Sequence, residues 1–574
     1  MGLRIRDWIN RFPCWSMAPP ERTLLRIVAA PGAENKIEFS VSELRPAAVR
    51  LVEEQNLPDT SRVVLLLLPH SAELFLLHLG LTMTGRIPAV LPWPTLRVDR
   101  EKYQRNLIHQ LSNLPADHLI TLPRVAQNLA PALAYPVSRC SIAASDHFEK
   151  GFSAQFDAPP AAPRQGPPAE RLSEDVLFLQ FSGGTTGAQK CVAVTESMMS
   201  AQLQRLGHAL RSDPRDGVVS WLPLYHDMGL VACLWFPLWA GTPSTHFAAS
   251  DWLLRPELLF QLQAEHCGTL CWLPNFAFSY LAARRELFHG RYRLDHVRAW
   301  ISCSEPVRHR SMHEFCSAYA DWGVRPESMQ ASYAMAETVF AVTHTPLNRR
   351  PATLPKVGVI GASSGTDVPA FEIIDDVYVS SGQPLPDVRV EVIAPDGAIR
   401  PERAAGEICI SSPSLFRGYW GWRGFLSAGF RQDGWYCTGD YGFLADGELY
   451  VIGRLKDIII VGGQNIFPED AEAIANCAPG IYPGRVVAFG VDEIELGTQS
   501  MAVIAEMQGD FDVAAARGIE RDIRELISAA LTVAPRYVSV VPERWIVKST
   551  AGKISRSDTR ARFISEILSK TVST

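Results

Sequence analysis

The segment best suited to binding a polyphosphate reads Phe181-Ser182-Gly183-Gly184-Thr185-Thr186-Gly187-Ala188-Gln189-Lys190. Its glycines would allow a tight turn with successive N–H groups pointing inward, and the hydroxyl groups of Ser182, Thr185 and Thr186 would add donors. It is not a Walker-type P-loop, because no glycine stands five residues before a Gly-Lys-Ser/Thr sequence. Apolar runs at 176–180 and 191–194 predict a strand on each side, so no helix dipole is expected to contribute. By itself the segment is equally compatible with a Gly/Thr hairpin that binds nothing.

Four further segments combine aromatic, acidic or basic side chains with glycine. They are Tyr333-Ala334-Met335-Ala336-Glu337, Trp435-Tyr436-Cys437-Thr438-Gly439-Asp440, Gly453-Arg454-Leu455-Lys456-Asp457 and Ser549-Thr550-Ala551-Gly552-Lys553-Ile554. Taken singly, each has an ordinary structural explanation. Glu337 could be a solvated helix carboxylate, Asp440 an Asx-turn residue and Lys553 a solvated surface lysine.

Together with the glycine-rich segment, in this order and spacing, these motifs resemble those of the adenylate-forming superfamily. That superfamily comprises acyl-CoA synthetases, nonribosomal-peptide adenylation domains and luciferases. The resemblance covers nearly the whole chain, and one departure is Ala334, where glycine is usual. It implies that the protein is an enzyme that uses ATP and Mg²⁺ to convert a carboxylic acid to an acyl-adenylate.

The resemblance also implies roles for individual residues. Glu337 would supply an oxygen ligand to Mg²⁺, as a hard cation requires, Tyr333 would stack on adenine, and Asp440 would accept hydrogen bonds from the ribose. The catalytic residues would be Lys553, Glu337, Thr185 and His226. The nucleotide would be bound by Ser182, Gly183, Gly184, Thr186, Gly187, Lys190, Ser304, Glu305, Tyr333, Ala334, Asp440 and Arg454.

On the acyl side, Trp221-Leu222-Pro223-Leu224-Tyr225-His226-Asp227-Met228-Gly229-Leu230 resembles a stretch of the fatty-acyl-AMP ligases, the branch that loads carrier proteins. Pro274-Asn275-Phe276-Ala277-Phe278 continues that likeness, and residues 338–379 are long enough to hold the insertion typical of the branch. The implied substrate pocket comprises Tyr225, Asp227, Trp272, Asn275, Phe276 and Cys303. Asp227 leaves an alternative open, because amino-acid-activating relatives place an amine-binding Asp near this position.

Trp272 stands where the branch usually has a small residue, and Cys303-Ser304-Glu305-Pro306 stands where Gly-Ala-Glu-Pro is more usual. If Trp272 lines the pocket, its ring should block a deep tunnel and favour a short, medium or compact acid. Trp272 could equally fill the core without touching the substrate.

The resemblance further implies two half-reactions in one site. After acyl-AMP forms, a small C-terminal domain (456–574) would rotate about Lys456 against the N-terminal domain (1–455) and admit a pantetheine thiol. An acyl carrier protein is the expected acceptor. The alternatives are a free-CoA ligase, a stand-alone amino- or aryl-acid adenylating enzyme, and a catalytically inactive homologue.

The elements that must position these residues are those of an α/β protein, because apolar strand-like runs alternate with helical stretches. We expect a large N-terminal α/β region of several subdomains and a small, mobile α+β domain after it. The apolar stretch 63–83 contains Pro69, Glu73 and two histidines, and it predicts a strand (63–68) followed by a helix (71–84) rather than a membrane span. Residues 157–170 are rich in proline and predict a linker or a long loop.

Composition narrows the class of protein. The 574 residues include 55 Lys and Arg against 61 Asp and Glu, a net charge of −6, so no basic field favours nucleic acid or an anionic membrane. The eleven cysteines are scattered and form no zinc pattern, which indicates reduced thiols and a cytoplasmic location. The N-terminus has neither a signal-peptide h-region nor a myristoylation motif.

Overall fold

A computed structural model describes most of the chain. The described residues are 7–12, 18–28, 36–93, 103, 107, 110–111, 114–129, 137–139, 172–173, 175–182, 190–356, 377–421, 423–427, 429–461, 464–493, 498–531, 533–548 and 554–569. The predicted linker at 157–170 lies outside them.

The largest sheet formed by the described residues has nine strands, with six parallel strands at its centre and antiparallel strands at both edges. In spatial order the strands are Gln383–Pro384, Ala341–His344, Met329–Ala334, Ala299–Cys303, Leu270–Leu273, Val218–Ser220, Ser244–Phe247, Thr23–Val28 and Lys36–Ser40. Most residues of the central strands are buried, as expected where a parallel sheet is covered on both faces.

A second sheet has eight strands within the described residues. In spatial order they are Gly424–Leu426, Tyr419–Gly421, Cys191–Thr195, Val176–Phe181, Ile87–Val90, Val63–Leu67, His118–Thr121 and Val137–Arg139. The last five of these are parallel, whereas Val176–Phe181 and Cys191–Thr195 form an antiparallel hairpin. The predicted strand at 63–68 and the two strands around the glycine-rich segment are confirmed.

The helices cover and separate these sheets. The α-helices are Asp7–Asn10, Val41–Glu54, Ala72–Met83, Pro123–Leu129, Glu196–Ala209, Phe236–Ala240, Ala249–Leu254, Leu258–Glu265, Asn275–Ala282, His309–Ala318, Pro468–Ala475, Val513–Leu531 and Arg556–Phe563. Two segments, Met228–Trp235 and Ile564–Leu568, are wound as π-helix, and short 3₁₀ turns occupy Arg285–Leu287, Ala320–Trp322, Pro326–Ser328, Ala336–Thr338 and Leu455–Asp457.

The helix Ala72–Met83 lies between the two large sheets. The Phe75 ring centre is 4.7 Å from that of His246 in the nine-stranded sheet, and the His78 ring centre is 5.5 Å from that of Phe178 in the eight-stranded sheet. Every residue of this helix except Glu73 is buried, which explains why its sequence is apolar on all sides. The prediction of a buried helix rather than a membrane span agrees with this position. No helix in the described ranges is long and apolar enough to cross a bilayer.

The C-terminal part contains smaller sheets. An antiparallel sheet comprises Arg389–Ile393, Gly406–Ser411, Tyr436–Ala445 and Glu448–Arg454, and a three-stranded sheet comprises Ile481–Glu493, Thr498–Met507 and Tyr537–Val541. Two-stranded ribbons join Thr353–Pro355 to Val377–Val379 and Ile459–Val461 to Gln464–Ile466. Two apolar clusters contain only residues from Ile459 onward, whereas the main core extends from Trp8 to Leu449.

The expected fold class, a large α/β region followed by a small α+β domain, is confirmed. The boundary between 455 and 456 and the mobility of the C-terminal domain stay predictions. Among the described residues, contacts that link the two parts include Lys356 Nζ with Asp470 Oδ1 at 2.7 Å, Arg308 Nη2 with Glu469 O at 3.5 Å, and the Phe467 and Tyr441 rings, whose centres are 5.6 Å apart.

Candidate active site

The glycine-rich segment joins the two strands of the hairpin in the eight-stranded sheet. Phe181 pairs with Cys191, and the Ser182 N–H donates to Lys190 O at 2.8 Å. The antiparallel pairing brings the two ends of the segment together at one edge of the sheet. Gly183, Gly184, Thr185, Thr186 and Gly187 lie outside the described residues.

Tyr333, Asp440 and Arg454 are brought together from three strands. The Tyr333 hydroxyl donates to Asp440 Oδ2 at 2.5 Å, and Arg454 Nε lies 3.4 Å from Asp440 Oδ1. Asp440 and Arg454 are directly paired in the antiparallel sheet. Burial and the neighbouring Asp440 charge raise the pKa of Tyr333 well above its usual value, so the phenol is protonated and acts as the donor. These three residues of the predicted nucleotide site are therefore in one cluster.

Glu337 lies on the 3₁₀ turn Ala336–Thr338. Its backbone carbonyl accepts from the Phe416 N–H at 2.7 Å, and its side-chain Oε1 accepts from the Tyr419 hydroxyl at 2.5 Å. Desolvation raises the pKa of Glu337, and the charges of Asp227 and Asp440 raise it further. A desolvated carboxylate that has other carboxylates nearby is electrostatically suited to a divalent cation. The donor chemistry thus fits the Mg²⁺ expected here.

Two residues near Glu337 and Glu305 have strained backbone conformations. Val339 has φ +69° two residues after Glu337, and Ser304 has φ +69° after the strand Ala299–Cys303. A β-branched residue with positive φ is a clear outlier, since its Cβ is crowded in that conformation. Such strain persists only where surrounding structure fixes it, and it is concentrated at functional sites.

Lys190 and Tyr419 connect the end of the glycine-rich segment to Glu337. Lys190 Nζ lies 4.4 Å from the centre of the Tyr419 ring, and the Tyr419 and Tyr436 hydroxyl oxygens are 3.0 Å apart. Nothing in the sequence analysis identified Tyr419, because no local motif relates it to Glu337, 82 residues away. Tyr436 could have been noticed, since it lies inside the Trp435–Asp440 motif.

His226 and Asp227 begin the π-helical segment Met228–Trp235. His226 Nδ1 is 2.5 Å from Asp227 Oδ1, and the Met228 N–H donates to Asp227 Oδ1 at 2.8 Å. Asp227 is buried and caps the helix. The carboxylate therefore already has a structural role, which weakens the alternative that it binds a substrate amine. Tyr225, which directly precedes His226, is half-buried, and desolvation raises the pKa of its phenol.

Trp272 is fully buried, on the face of the nine-stranded sheet that is turned toward the second sheet. Its ring centre is 6.2 Å from that of Phe236, which directly follows Trp235, and Trp235 stacks on Phe178 of the other sheet. Trp300 is paired with Cys271, the neighbour of Trp272, and contacts Phe315 on the opposite face, as strand alternation requires. Trp272 therefore lies in the layer that holds the His226 segment.

Cys303 is the last residue of its strand, and Asn275 comes shortly after the neighbouring parallel strand, so both lie at the same edge of the sheet. Cys303 is fully buried at the end of its strand, and the Ser304 hydroxyl lies 3.8 Å from its Sγ. Asn275 joins two helices: its Oδ1 accepts from Arg308 N–H at 3.1 Å and its Nδ2 donates to Ser311 Oγ at 3.1 Å.

Glu305 and Phe276 are in contact at this edge. Glu305 Oε2 accepts from the Phe276 N–H at 2.9 Å. The Phe276 ring is 40% exposed and packs edge-on against the stacked pair Trp221 and Trp252, so it remains accessible to a ligand.

The predicted hinge residue Lys456 lies in the 3₁₀ turn Leu455–Asp457. The strand before it runs to Arg454, so the turn is a short interruption between Glu448–Arg454 and Ile459–Val461. Desolvation and the positive charges of Arg454 and Lys190 lower the pKa of Lys456. Lys553 lies outside the described residues.

Arg556, three residues after Lys553, forms an ion pair with Asp457 in the turn Leu455–Asp457. Its guanidinium lies 2.9 Å from Asp457 Oδ2, 3.2 Å from Glu469 Oε1 and 2.8 Å from Glu472 Oε1, and Nε donates to Ala488 O at 2.9 Å. All four side chains are at least four-fifths buried. No motif in the sequence indicates this cluster.

Residues 43–420 match the family described as AMP-binding enzyme. The chain is 32% identical to the putative ligase Rv1013 of Mycobacterium tuberculosis over 395 residues, 68% of this chain and 72% of the relative. It is 28% identical over 445 residues to the long-chain-fatty-acid–AMP ligase FadD32 of Mycolicibacterium smegmatis, 69% of this chain and 70% of the relative.

A solved structure from a study of fatty acyl-adenylate ligases of E. coli and L. pneumophila shares the fold. Its TM-score is 0.76 at 23% identity, over 98% of both chains. The adenylate-forming ligase predicted from the motifs is confirmed by the family match. The chain belongs to the family of AMP-binding enzymes.

Proposed function

We propose that this enzyme activates a fatty acid with ATP as acyl-AMP, releasing pyrophosphate, and then transfers the acyl group to the phosphopantetheine thiol of an acyl carrier protein. The observation that carries the proposal is the cluster of Tyr333, Asp440 and Arg454 beside Glu337. Residues from three separate motifs thereby form one polar site. The printed name of FadD32, a long-chain-fatty-acid–AMP ligase, supports the choice of a fatty acid.

The chemical difficulty of the first step is electrostatic. A carboxylic acid with a pKa of about 4 is ionised at neutral pH, so it needs no general base but must approach a highly anionic nucleotide. Lys190 and Arg454 provide positive charge among the described residues, and Lys553 would add a third cation at the reacting α-phosphate. Fixed cations in a site shielded from water stabilise developing charge without reorganisation.

Glu337 would hold the divalent cation. A bound Mg²⁺ would polarise phosphate oxygens and neutralise charge on the leaving pyrophosphate. The Tyr419 hydroxyl restricts the orientation of the Glu337 carboxylate, so the ligand oxygen is positioned before the nucleotide arrives.

At the nucleoside end, Asp440 would accept from the ribose hydroxyls, with Tyr333 and Arg454 fixing its carboxylate. The Tyr333 ring would stack on adenine. Backbone and hydroxyl donors of residues 182–187 would contact the phosphates.

At the acyl end, His226 and Asp227 begin the helix that passes Trp272. The reacting carboxylate would lie near His226, and the acyl chain would extend along Met228–Trp235 toward the buried Trp272. A ring of that size at the deep end favours a short, medium or compact chain.

For the second step, the C-terminal domain (456–574) would rotate about Lys456 relative to residues 1–455. The short turn Leu455–Asp457 is the segment in which a few dihedral changes could reorient the domain. Rotation would withdraw Lys553 and open a path for the thiol, so that one site performs both half-reactions.

ATP–pyrophosphate exchange tests the activation step. The purified enzyme is supplied with fatty acids of increasing chain length, aryl acids and amino acids, and exchange above background with a fatty acid is expected. Exchange with amino acids alone, or with no acid, would contradict the proposal.

The acceptor is tested separately. Carrier protein bearing phosphopantetheine should be acylated much faster than free CoA at equal concentration. Equal rates would identify a CoA ligase instead, and the apo carrier protein without phosphopantetheine is the matched control.

A further inference from the structure

Tyr419 contacts both the carboxylate that would hold the divalent cation and an ammonium group that would contact phosphate. Its hydroxyl donates to Glu337 Oε1 at 2.5 Å, and its ring face lies 4.4 Å from Lys190 Nζ. Lys190 ends the glycine-rich segment, and Glu337 is the carboxylate that fits a divalent cation. One buried side chain thus contacts an anion at one end and a cation on its face.

The ring of Tyr419 is held rigidly. Its strand, Tyr419–Gly421, pairs with Cys191–Thr195 at Val192, two residues from Lys190. The Phe416 ring packs edge-on against Tyr419 at 4.9 Å, and the Phe416 N–H donates to Glu337 O. The backbone of Glu337, the strand after the glycine-rich segment and the Tyr419 ring therefore form one unit.

The consequence is electrostatic. Lys190 and Glu337 are both described and form no ion pair with each other; each instead contacts Tyr419. A direct ion pair would neutralise both groups and orient each toward the other. The π face attracts the ammonium and the phenol satisfies the carboxylate, so both charges are retained for other ligands.

We propose that Tyr419 is a positioning residue that keeps the Lys190 ammonium and the Glu337 carboxylate apart and correctly oriented, the carboxylate for a divalent cation and the ammonium for phosphate. The proposal rests on the function proposed above for this site. The Tyr436 hydroxyl lies 3.0 Å from that of Tyr419, but the position of Tyr419 is set by its own strand and by its contact with Phe416.

Tyr419→Phe tests the proposal, because it removes the hydroxyl and leaves the ring beneath Lys190. Losing a hydrogen bond to a charged group should raise the Mg²⁺ concentration for half-maximal exchange roughly ten- to a hundredfold. The KM for the fatty acid should not change. Mn²⁺ binding in the presence of a non-hydrolysable ATP analogue, followed by electron paramagnetic resonance, should weaken to the same extent and requires no turnover.

Tyr436→Phe is the matched control. It removes a neighbouring buried hydroxyl but leaves the bond from Tyr419 to Glu337, so the Mg²⁺ requirement and Mn²⁺ affinity should stay within about twofold of wild type. A double-mutant cycle completes the test. In a Glu337→Gln background, Tyr419→Phe should have almost no further effect on Mn²⁺ affinity, since the two residues act as one unit.

Three results would overturn the proposal: an unchanged Mg²⁺ requirement in Tyr419→Phe, an equal change in Tyr436→Phe, or full additivity with Glu337→Gln. If Tyr419→Phe did not fold, Tyr419→Leu would take its place, since it also removes the hydroxyl, and unchanged Mn²⁺ binding in that variant would contradict the proposal. Failure of the proposed function can be distinguished from failure of this inference about Tyr419. It would appear as absent exchange in the wild-type enzyme, whereas failure of this inference leaves wild-type exchange intact.

Discussion

The hydroxyl of Tyr333 donates to Asp440 at 2.5 Å, although 107 residues separate them. The bond joins the last parallel strand of the nine-stranded sheet to the antiparallel sheet that leads to the turn Leu455–Asp457. It fixes one carboxylate oxygen while Arg454 lies near the other at 3.4 Å. An aspartate held at both oxygens presents its remaining lone pairs in a defined direction, as a hydroxyl-binding site requires.

Tyr333→Phe should therefore weaken ATP binding more than catalysis. Without the charge-assisted bond, the Asp440 carboxylate is less well oriented, and the KM for ATP should rise about tenfold with a smaller change in kcat. Steady-state exchange kinetics with varied ATP give both values. Tyr441→Phe is the control, since the Tyr441 hydroxyl donates to Ala405 O at 3.4 Å on the same strand as Asp440. Equal effects in the two variants would count against a specific role for Tyr333.

Lys553→Ala should nearly abolish pyrophosphate exchange. If the ammonium meets the α-phosphate only in the adenylating conformation, its loss costs on the order of 3–4 kcal/mol, or roughly 10²–10³ in rate. Supplied with preformed acyl-AMP, the variant should still acylate the carrier protein. Lys548→Ala, five residues earlier, is the control and should retain exchange. Equal loss of both half-reactions in Lys553→Ala would require the two-conformation account to be abandoned.

Trp272→Leu should shift the preference toward longer acids. The Trp272 ring lies on the face of the sheet that is turned toward the helix Met228–Trp235. Each additional methylene of the acyl chain that is buried in the vacated space is worth about 0.8 kcal/mol, or roughly fourfold in kcat/KM. Trp272→Gly should extend the pocket further but at a greater cost in stability. ATP–pyrophosphate exchange with fatty acids of increasing chain length measures the shift in preference.

Trp300→Leu is the matched control for this series. Trp300 is equally buried on the adjacent strand but packs against Phe315 on the opposite face, so its loss should destabilise the fold without changing chain-length preference. An unchanged profile in a folded Trp272 variant would mean that Trp272 only fills the core. A parallel shift in both variants would indicate a general loosening instead.

Arg556→Met should destabilise the C-terminal part in a pH-dependent way. The variant leaves the carboxylates of Asp457, Glu469 and Glu472 without their cation, at a cost of about 3–5 kcal/mol near neutral pH. Desolvation raises the pKa of Glu469 above its unfolded value, so protonation favours the folded state. Protonated Glu469 therefore stabilises the folded state at low pH, and this contribution is lost as the pH rises through the pKa of Glu469 in the folded protein.

The deficit of Arg556→Met should accordingly be largest at pH 7–8 and should shrink toward pH 5. Urea unfolding followed by fluorescence at several pH values measures it. Arg562→Met is the control, because Arg562 pairs with the more exposed Glu566 and should contribute only about 0–1 kcal/mol at any pH. A deficit that is constant with pH, or that grows on acidification, would show that Arg556 does not compensate these carboxylates.

Local patterns in the sequence determined much of this protein. The apolar run at 63–83 defined a strand and a buried helix, and strands around 176–194 defined the hairpin that closes the glycine-rich segment. The five ordered motifs were sufficient to identify the family, because nucleotide chemistry restricts which residue types can occupy each position. Periodicity and spacing of this kind act over a few residues and can be recognised directly.

Tertiary structure decided which distant residues meet. Tyr419 reaches Glu337 because its strand pairs beside the hairpin, and Arg556 reaches Asp457 across 99 residues because the helix Arg556–Phe563 begins beside the turn Leu455–Asp457. The face to which Trp272 points depends on the register of a central strand, since a shift of one residue would turn its ring to the opposite side. Contacts of this kind depend on strand pairing and packing between elements far apart in the chain, which local sequence patterns do not encode.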